Sequence, residues 1–192
     1  GSMTNDVFLD QVFVAGDMAP EINHPALHEP WLPNGPASLK APTKARVWMA
    51  AMTLGIAQAA LEDSIEYAKG RSMALGGNAK TSMPGNQFAV ADAAMDIESG
   101  RAFLVQEARA ITAKAIAGQE FVPDDAARME MAGLVARENS QKAADRIFAI
   151  RRATGLFETG NFERYYRDVR MGTLHATSTP DLVREEAGKH IF

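Results

Sequence analysis

One stretch of the chain holds most of the residues that could carry chemistry, at positions 147–175, with the sequence IFAIRRATGLFETGNFERYYRDVRMGTLH. His175 ends this stretch and also ends a predicted helix. A neutral imidazole changes charge near pH 7, so His175 could exchange a proton with a bound molecule. On the residues alone, a histidine at a helix C-terminus is more often a partner for the helix dipole or a surface residue than a ligand of a bound molecule.

A run of arginines precedes His175 on the same predicted helix, and its members recur every third residue: Arg164, Arg167 and Arg170. This spacing is usual for a solvated helix face laced with ion pairs. The alternative is that Arg167 and Asp168 are buried and tie the helix to its neighbours. A similar pattern on an earlier helix, Glu98 and Arg101, predicts an ion pair one turn apart.

Other kinds of site find little support in the sequence. Glu21-Ile-Asn-His24, with His28 and Glu29 close by, has the residue types of a metal site, but it lies in a proline-rich segment where solvated loop residues are expected. Gly76-Gly77 could cradle a phosphate, although paired glycines usually mark turns. No P-loop, nucleotide-binding glycine motif or nucleophilic serine motif is present. We therefore predict no metal ligands.

Composition excludes further classes of site and partner. The 192 residues carry a net charge of −4 and no long basic run, so a nucleic-acid partner is not expected. The absence of cysteine excludes disulfides and thiolate sites and fits a cytoplasmic location. The longest apolar stretch, residues 47–61, is too short and too polar to span a bilayer, so no membrane partner is expected.

The chain divides into a lead-in and a helical region. Gly1-Ser2 resembles the remnant of a tag, residues 6–15 read as one strand, and residues 16–42 contain six prolines. We predict residues 1–42 as this lead-in and residues 43–192 as the folded bundle.

Apolar residues with helical spacing predict four main helices. The first should bury the stripe Val47, Ala51, Leu54, Gln58, Leu61, Ile65 and Ala68. The second should begin with Asn86 as its cap and stop at Gly118, and the fourth should span 161–175. The third should begin at Pro123 and face inward with Met129, Ala132, Ala136, Ala143, Ile147 and Ile150. Pro180 then favours a short fifth helix. The predicted fold is all-α, an antiparallel up-and-down four-helix bundle with a short extra C-terminal helix and an extended N-terminal lead-in.

These motifs occur together in one family. Arg152-Ala-Thr-Gly155, then Glu163-Arg-Tyr-Tyr-Arg-Asp168, resembles the C-terminal helical domain of the acyl-CoA dehydrogenase superfamily. Upstream, Tyr67-Ala-Lys-Gly-Arg71 and Gln87 resemble the first two helices of that domain, and Val12-Phe-Val14 resembles the last strand of the family's middle β-domain. The resemblance thus extends over nearly the whole chain, but it covers only the third part of a family member.

The departures from the family pattern also carry information. The two positions where family members place a catalytic glutamate correspond here to Ala45 and Ala176. Alanine cannot take a proton, so we predict no catalytic residue in this chain. The flavin-flanking phenylalanine after Arg71 is also missing, as is the glutamine of a further family turn, which Ala149 replaces.

A histidine at position 175 resembles the branch of flavin-dependent monooxygenases related to 4-hydroxyphenylacetate hydroxylase. The resemblance implies that His175 faces the substrate. It implies that Arg71 and Gln87 contact the flavin phosphates or a neighbouring subunit, and that Arg152, Thr154 and Gly155 shape the isoalloxazine end of the flavin. The cofactor would be FMN or FAD in the complete enzyme, and the chain alone need not bind it.

Two functions follow as expectations. In the first, the chain is the C-terminal domain of a flavin-dependent oxidoreductase, most similar to a monooxygenase, and is inactive alone. Its partners would be further copies of itself, making a dimer or tetramer through the long helices, together with a missing β-domain or partner subunit and a flavin reductase. In the second, it is a stand-alone bundle that binds another protein or a small ligand without catalysis.

Overall fold

The computed structural model describes Phe13 and residues 41–73, 76–156, 160–174 and 179–191. Within these residues the fold is built from α-helices, which confirms the all-α prediction. They are α1 (Ala41–Lys69), α2 (Pro84–Ile116), α3 (Pro123–Arg151), α4 (Asn161–Leu174) and α5 (Pro180–Ile191). Short 3-10 turns occupy Lys80–Ser82 and Arg152–Leu156.

Prolines and glycines set the helix boundaries. Pro84, Pro123 and Pro180 each begin a helix, where a missing N–H costs nothing and the fixed φ angle is already helical. Gly118 follows α2 with a φ of 64°, a left-handed conformation that glycine adopts freely. The predicted cap Asn86 is wrong, because α2 begins two residues earlier and the Asn86 amide donates a hydrogen bond to the Lys80 carbonyl instead.

Interhelical ion pairs show that α2 and α3 run antiparallel. Arg146 of α3 donates to Asp92 and Asp96 of α2 at one end of the pair. At the other end, Arg128 of α3 binds the buried carboxylate of Glu107 through two hydrogen bonds of 2.6 and 3.1 Å. These contacts fix the register of the two longest helices.

Helix α3 lies at the centre of the described fold and contacts α1, α2, α4 and α5. Small residues let its neighbours approach closely. A Cβ atom on Gly100 of α2 would lie 3.0 Å from the Ala136 Cα atom of α3, which is tighter than almost all real contacts. The six residues predicted to face inward on α3 are all buried, namely Met129, Ala132, Ala136, Ala143, Ile147 and Ile150.

The buried face of α1 departs from the predicted stripe at Ala51 and includes two polar residues that the pattern does not predict, Thr53 and Ser64. Ala51 is exposed, whereas Leu54, Leu61 and Ala68 are buried as expected. Thr53 is fully buried because its hydroxyl donates to the carbonyls of Met49 and Ala50, so no polar group is left without a partner.

Helix α4 crosses α1 at a glycine. A Cβ atom on Gly172 would lie only 2.0 Å from Cγ2 of Thr53. The two hydrogen bonds that hold the Thr53 hydroxyl also hold its methyl group toward α4. The absence of a side chain at Gly172 is therefore what lets α4 lie this close to α1.

Some predictions concern residues outside the described part of the chain, and others can be compared with the structure directly. The strand at 6–15 and the histidines at 24 and 28 lie outside the described residues, apart from Phe13. The predicted Glu98–Arg101 ion pair is confirmed, at 3.2 Å. None of the described helices has an apolar stretch long enough to cross a bilayer.

The Gly172 crossing generates a stability prediction. Gly172→Ala should lower the free energy of unfolding by about 1–3 kcal/mol, since the new methyl overlaps the Thr53 methyl. Adding Thr53→Ser removes that methyl, keeps the hydroxyl, and should recover most of the loss in chemical denaturation. Gly55→Ala on the open face of α1, where no atom lies within 4 Å, is the matched control and should be neutral or stabilising. Equal losses in the single and double variants would contradict this account.

Candidate functional site

Three cations surround the ring of Tyr67 in the last full turn of α1. The Arg151 guanidinium carbon lies 4.3 Å from the ring centroid, the Lys80 ammonium 4.6 Å and the Arg71 guanidinium carbon 5.0 Å. Cations at this distance are attracted by the negative face of the ring. We call Tyr67, Arg71, Lys80 and Arg151 the Tyr67 cluster.

The chain brings the Tyr67 cluster together from three segments. Tyr67 comes from the end of α1, Arg71 and Lys80 from the loop between α1 and α2, and Arg151 from the last residue of α3. The loop closes on itself where Met73 N–H donates to the Asn78 carbonyl. The cluster therefore depends on two helix ends and one folded loop meeting at one end of the bundle.

The cluster carries more positive than negative charge. Arg151 is buried, donates to Asp63 at 2.5 Å, and also donates to the hydroxyl of Ser64. Among the described residues, Asp63 is the only carboxylate that pairs with these three cations. Lys80 and Arg71 thus leave a surplus of positive charge at this end of the bundle, which favours an anion there.

The Tyr67 hydroxyl joins the cluster to the segment after α3. It lies 2.9 Å from the Thr154 hydroxyl, which lies 2.5 Å from the Arg151 carbonyl. The hydrogen bond with Thr154, followed by Lys80 and Arg71, lowers the pKa of Tyr67 below its ordinary value of 10, against burial that raises it. The Thr154 hydroxyl can turn its proton from the carbonyl to the tyrosinate, which explains this direction.

Several residues predicted from the sequence meet at this end. Arg71 belongs to the cluster, Thr154 contacts it, and the Gln87 amide donates to the Thr81 carbonyl in the same loop. Gly155 is needed for packing, since a Cβ atom there would lie 2.9 Å from the Cβ atom of Arg151.

Arg152 joins the same segment in an unusual backbone conformation. Its φ is 53° and its ψ is −142°, a region that residues with a side chain rarely adopt. Its side chain is exposed. The structure therefore brings the predicted phosphate-side and ring-side residues to a single end of the bundle.

His175 and Ala176 lie outside the described residues, so their positions remain predictions. The helix that leads to His175 ends at Leu174, and its Gly172 contacts Thr53. Thr53 and Tyr67 are four turns apart on α1, roughly 21 Å at 1.5 Å per residue. The α4 end that precedes His175 is thus well separated from the Tyr67 cluster.

The arginine run on α4 follows the solvated-face prediction at Arg167, and the alternative of a buried Arg167 is wrong, because Arg170 makes the contact with a neighbouring helix. Arg167 is exposed and pairs with Glu163 on its own helix, as in a solvated face. Arg170 instead reaches across to Asp145 of α3, at 2.7 Å, and also donates to the Tyr166 hydroxyl. Burial, with Asp145, raises the pKa of Tyr166 above its ordinary value.

Two features of the site are missing from the sequence predictions. Lys80 lies in a glycine-rich loop whose pattern indicates only a turn, and no spacing signal marks it as buried. A groove of about 550 Å³ on the outer side of α1 is lined by Ala59, Glu62, Asp63, Ile65, Glu66 and Tyr165. In the described part of the chain, no three acidic or histidine side chains are arranged to hold a metal ion.

Comparison with known proteins identifies the domain. The model of the acyl-CoA dehydrogenase C-terminal domain matches residues 47–180. This chain belongs to the acyl-CoA dehydrogenase family. The curated protein 3-sulfinopropanoyl-CoA desulfinase of Advenella mimigardefordensis is 29% identical over 156 residues, which cover 81% of this chain and 36% of that protein. The chain thus spans about a third of the length of this relative.

Solved structures share the same helical fold. XiaF from Streptomyces sp., determined in complex with FADH2 and glycerol, superposes with a TM-score of 0.76 at 21% identity, covering 84% of this domain and 41% of XiaF. The HsaA monooxygenase from M. tuberculosis superposes with a TM-score of 0.72 at 25% identity, covering 81% of this domain and 41% of HsaA. Flavin-dependent proteins are therefore among the relatives of this acyl-CoA dehydrogenase domain.

The Tyr67 cluster predicts that the tyrosines of the domain titrate differently. Tyr67 should lose its proton below pH 10 and Tyr166 above it, which NMR with ¹³Cζ-labelled tyrosine resolves residue by residue. Thr154→Val should raise the pKa of Tyr67 and leave that of Tyr166 unchanged, because only Tyr67 contacts Thr154. Identical titration of Tyr67 in the wild type and the variant would contradict the assigned cause.

Proposed function

We propose that this domain forms one wall of the flavin site in a flavin-dependent oxidoreductase of the acyl-CoA dehydrogenase family, and that the complete enzyme is a monooxygenase. The observation that carries this proposal is the positive surplus of the Tyr67 cluster. Arg71 supplies an exposed guanidinium beside two buried cations, and this charge fits the phosphates of a flavin nucleotide. Reduced flavin, when bound, would supply the reactivity toward oxygen.

The residues around the cluster would share the work of holding that nucleotide. Arg71 and Gln87 would bind the phosphates, and Arg152, Thr154 and Gly155 would shape the wall next to them. The strained backbone of Arg152 supports this role, since such conformations persist mainly where the surroundings fix them and often at binding sites. Lys80 and Arg151 are buried and would add positive charge to the site without contacting the nucleotide directly.

The monooxygenase proposal rests on which residues of the chain could accept a proton and which could not. Ala45 lies in α1 and cannot act as the base that a dehydrogenase needs there. The likeness to the HsaA monooxygenase points in the same direction. His175 would hold a phenolic or other polar substrate at the far end of α4 and could accept its proton.

The distance between the two parts of the proposed site favours a site shared between copies. The Tyr67 cluster lies at the C-terminal end of α1, whereas α4 contacts α1 at Thr53, near the middle of the helix and roughly 21 Å away along its axis. Arg71 and Gln87 of one copy would then serve the flavin whose substrate side is held by His175 of a neighbour. A missing β-domain or partner subunit would cover the ring, and a separate reductase would supply reduced flavin.

The outer face of α2 supplies a surface for self-association. One row of exposed residues on this face recurs at alternating intervals of three and four positions, which is the spacing of a helix–helix interface. They are Phe88, Ala91, Met95, Glu98, Ala102 and Val105. Three of the six are large apolar side chains, and Phe88 and Met95 are 68% and 62% exposed. A row of this kind on a soluble domain favours contact with another copy.

A second candidate is a bundle that binds a partner without catalysis. The alanines at positions 45 and 176 favour it as much as they favour a monooxygenase. The two functions differ in one measurable property, because only a flavin site needs affinity for a phosphate-bearing nucleotide.

Binding of ADP, which carries the diphosphate of FAD, tests the proposed site. Millimolar ADP should shift the NMR signals of the Arg71 Nε–H group and the Tyr67 ring. Arg71→Met should weaken binding about tenfold or more, since hydrogen bonds to charged groups are strong. Arg109→Met, which removes an exposed arginine on α2, should leave affinity unchanged. No shift at the Tyr67 cluster would contradict the flavin proposal and favour the non-catalytic bundle.

Self-association through α2 is tested by sedimentation. The wild-type domain should sediment as a dimer or tetramer, and Met95→Glu should produce monomers because it places a charge within the apolar row. Leu182→Glu changes an equally exposed apolar residue on α5 and should leave the mass unchanged. A monomeric wild type, or an unchanged mass for Met95→Glu, would contradict this interface.

A further inference from the structure

Lys80 is a buried lysine whose polar contacts within the described part of the chain are all with uncharged groups. Its exposed fraction is 9%. The ammonium donates to the Ile150 carbonyl at 3.2 Å and to the Tyr67 hydroxyl at 3.4 Å. None of these partners is a carboxylate, so the cost of burying the charge is offset by dipoles and by the aromatic ring rather than by an ion pair.

The main chain of Lys80 closes the loop in which it lies. Its N–H donates to the Arg71 carbonyl at 2.9 Å, and its own carbonyl accepts a hydrogen bond from the Asn86 amide at 2.8 Å. Ser72 and Ala79 pair next to this contact as an isolated bridge. Lys80 thereby connects the start of the loop, which carries Arg71, to the start of α2.

The side chain of Lys80 connects the same loop to α3. Ile150 lies in the last turn of that helix, where carbonyls lack helical partners and the helix dipole is negative. An ammonium is favoured at this position on both counts. The contact joins the loop to Ile150, the residue before Arg151, and, through the Tyr67 hydroxyl, to Thr154.

We propose that Lys80 is a positioning residue that holds the loop carrying Arg71 against the end of α3, so that Arg71 and Thr154 both contact Tyr67. The inference rests on the proposed function to the extent that Arg71 and Thr154 serve a flavin. The anchoring itself concerns only the domain and can be measured without any nucleotide.

Amide hydrogen exchange by NMR tests the anchoring. Lys80→Met keeps the length of the side chain and removes its charge. Exchange at the amides of Lys80 and Met73, which are both bonded within the loop, should then accelerate about tenfold or more. The amide of Ala117, bonded to Ala113 at the other end of α2, should be unchanged.

Two further variants separate positioning from general stability. Lys80→Arg retains a donor and a charge, and should restore most of the slow exchange in the loop. Lys69→Met removes an exposed lysine that pairs with Glu66, and should leave loop exchange and the Tyr67 titration unchanged. In Lys80→Met, by contrast, the pKa of Tyr67 should rise, since Lys80 helps to lower it.

The possible results distinguish this inference from the proposed function. Equal acceleration at Met73 and Ala117 in Lys80→Met, or none at either, overturns the positioning role. If the wild type binds ADP and Lys80→Met binds it equally well, the role is overturned as well. If the wild type shows no ADP shifts, the flavin proposal fails, while loop-specific exchange in Lys80→Met still supports the anchoring by Lys80.

Discussion

The close approach of α2 and α3 is the constraint on which the rest of the structure depends. Gly100 and Ala136 leave no room for a larger side chain between the two backbones. Dispersion contacts between such closely packed helices are individually weak and collectively large. With α3 fixed in this way, its other faces are available for α1, α4 and α5. The ends of α1 and α3 are consequently held side by side, and the Tyr67 cluster forms there.

The balance of charge differs between the middle of the bundle and the end that carries the Tyr67 cluster. The charged groups in the middle of the bundle are largely paired, as Glu107 is with Arg128. The Tyr67 cluster instead gathers three cations around an aromatic ring with a single carboxylate. A surplus of charge among buried groups is costly for the domain alone and useful to a site that must bind an anion. The energy spent in burying Lys80 and Arg151 is thus consistent with a binding role at this end.

The sequence predicts the helices well and the site only in part, for physical reasons. Helices of about thirty residues repeat their apolar pattern often enough that all six residues predicted to face inward on α3 are buried, although the pattern does not mark the buried polar residues Arg137 and Ser140. Ala51 is misplaced because the pattern treats Thr53 as polar, whereas local hydrogen bonds to Met49 and Ala50 let it be buried. Lys80 has no periodic neighbours, so only the folded loop reveals its burial. Arg71 and Thr154 both reach Tyr67 through the packing of the α1 end, the following loop and the segment after α3. This packing leaves no local signal in the sequence.

The backbone of Arg152 has a consequence for how the domain loses structure. Its conformation costs of order 1–3 kcal/mol, a noticeable share of a typical stability of about 5–15 kcal/mol. The packing of Gly155 against Arg151 and Phe162 holds the residue in place, so the conformation persists only while α4 is docked. If α4 detached, Arg152 would relax, and redocking would have to restore the strain. We therefore expect α4 to detach in one cooperative step rather than by gradual fraying, with the 3-10 turn between α3 and α4 as the boundary of the cooperative unit.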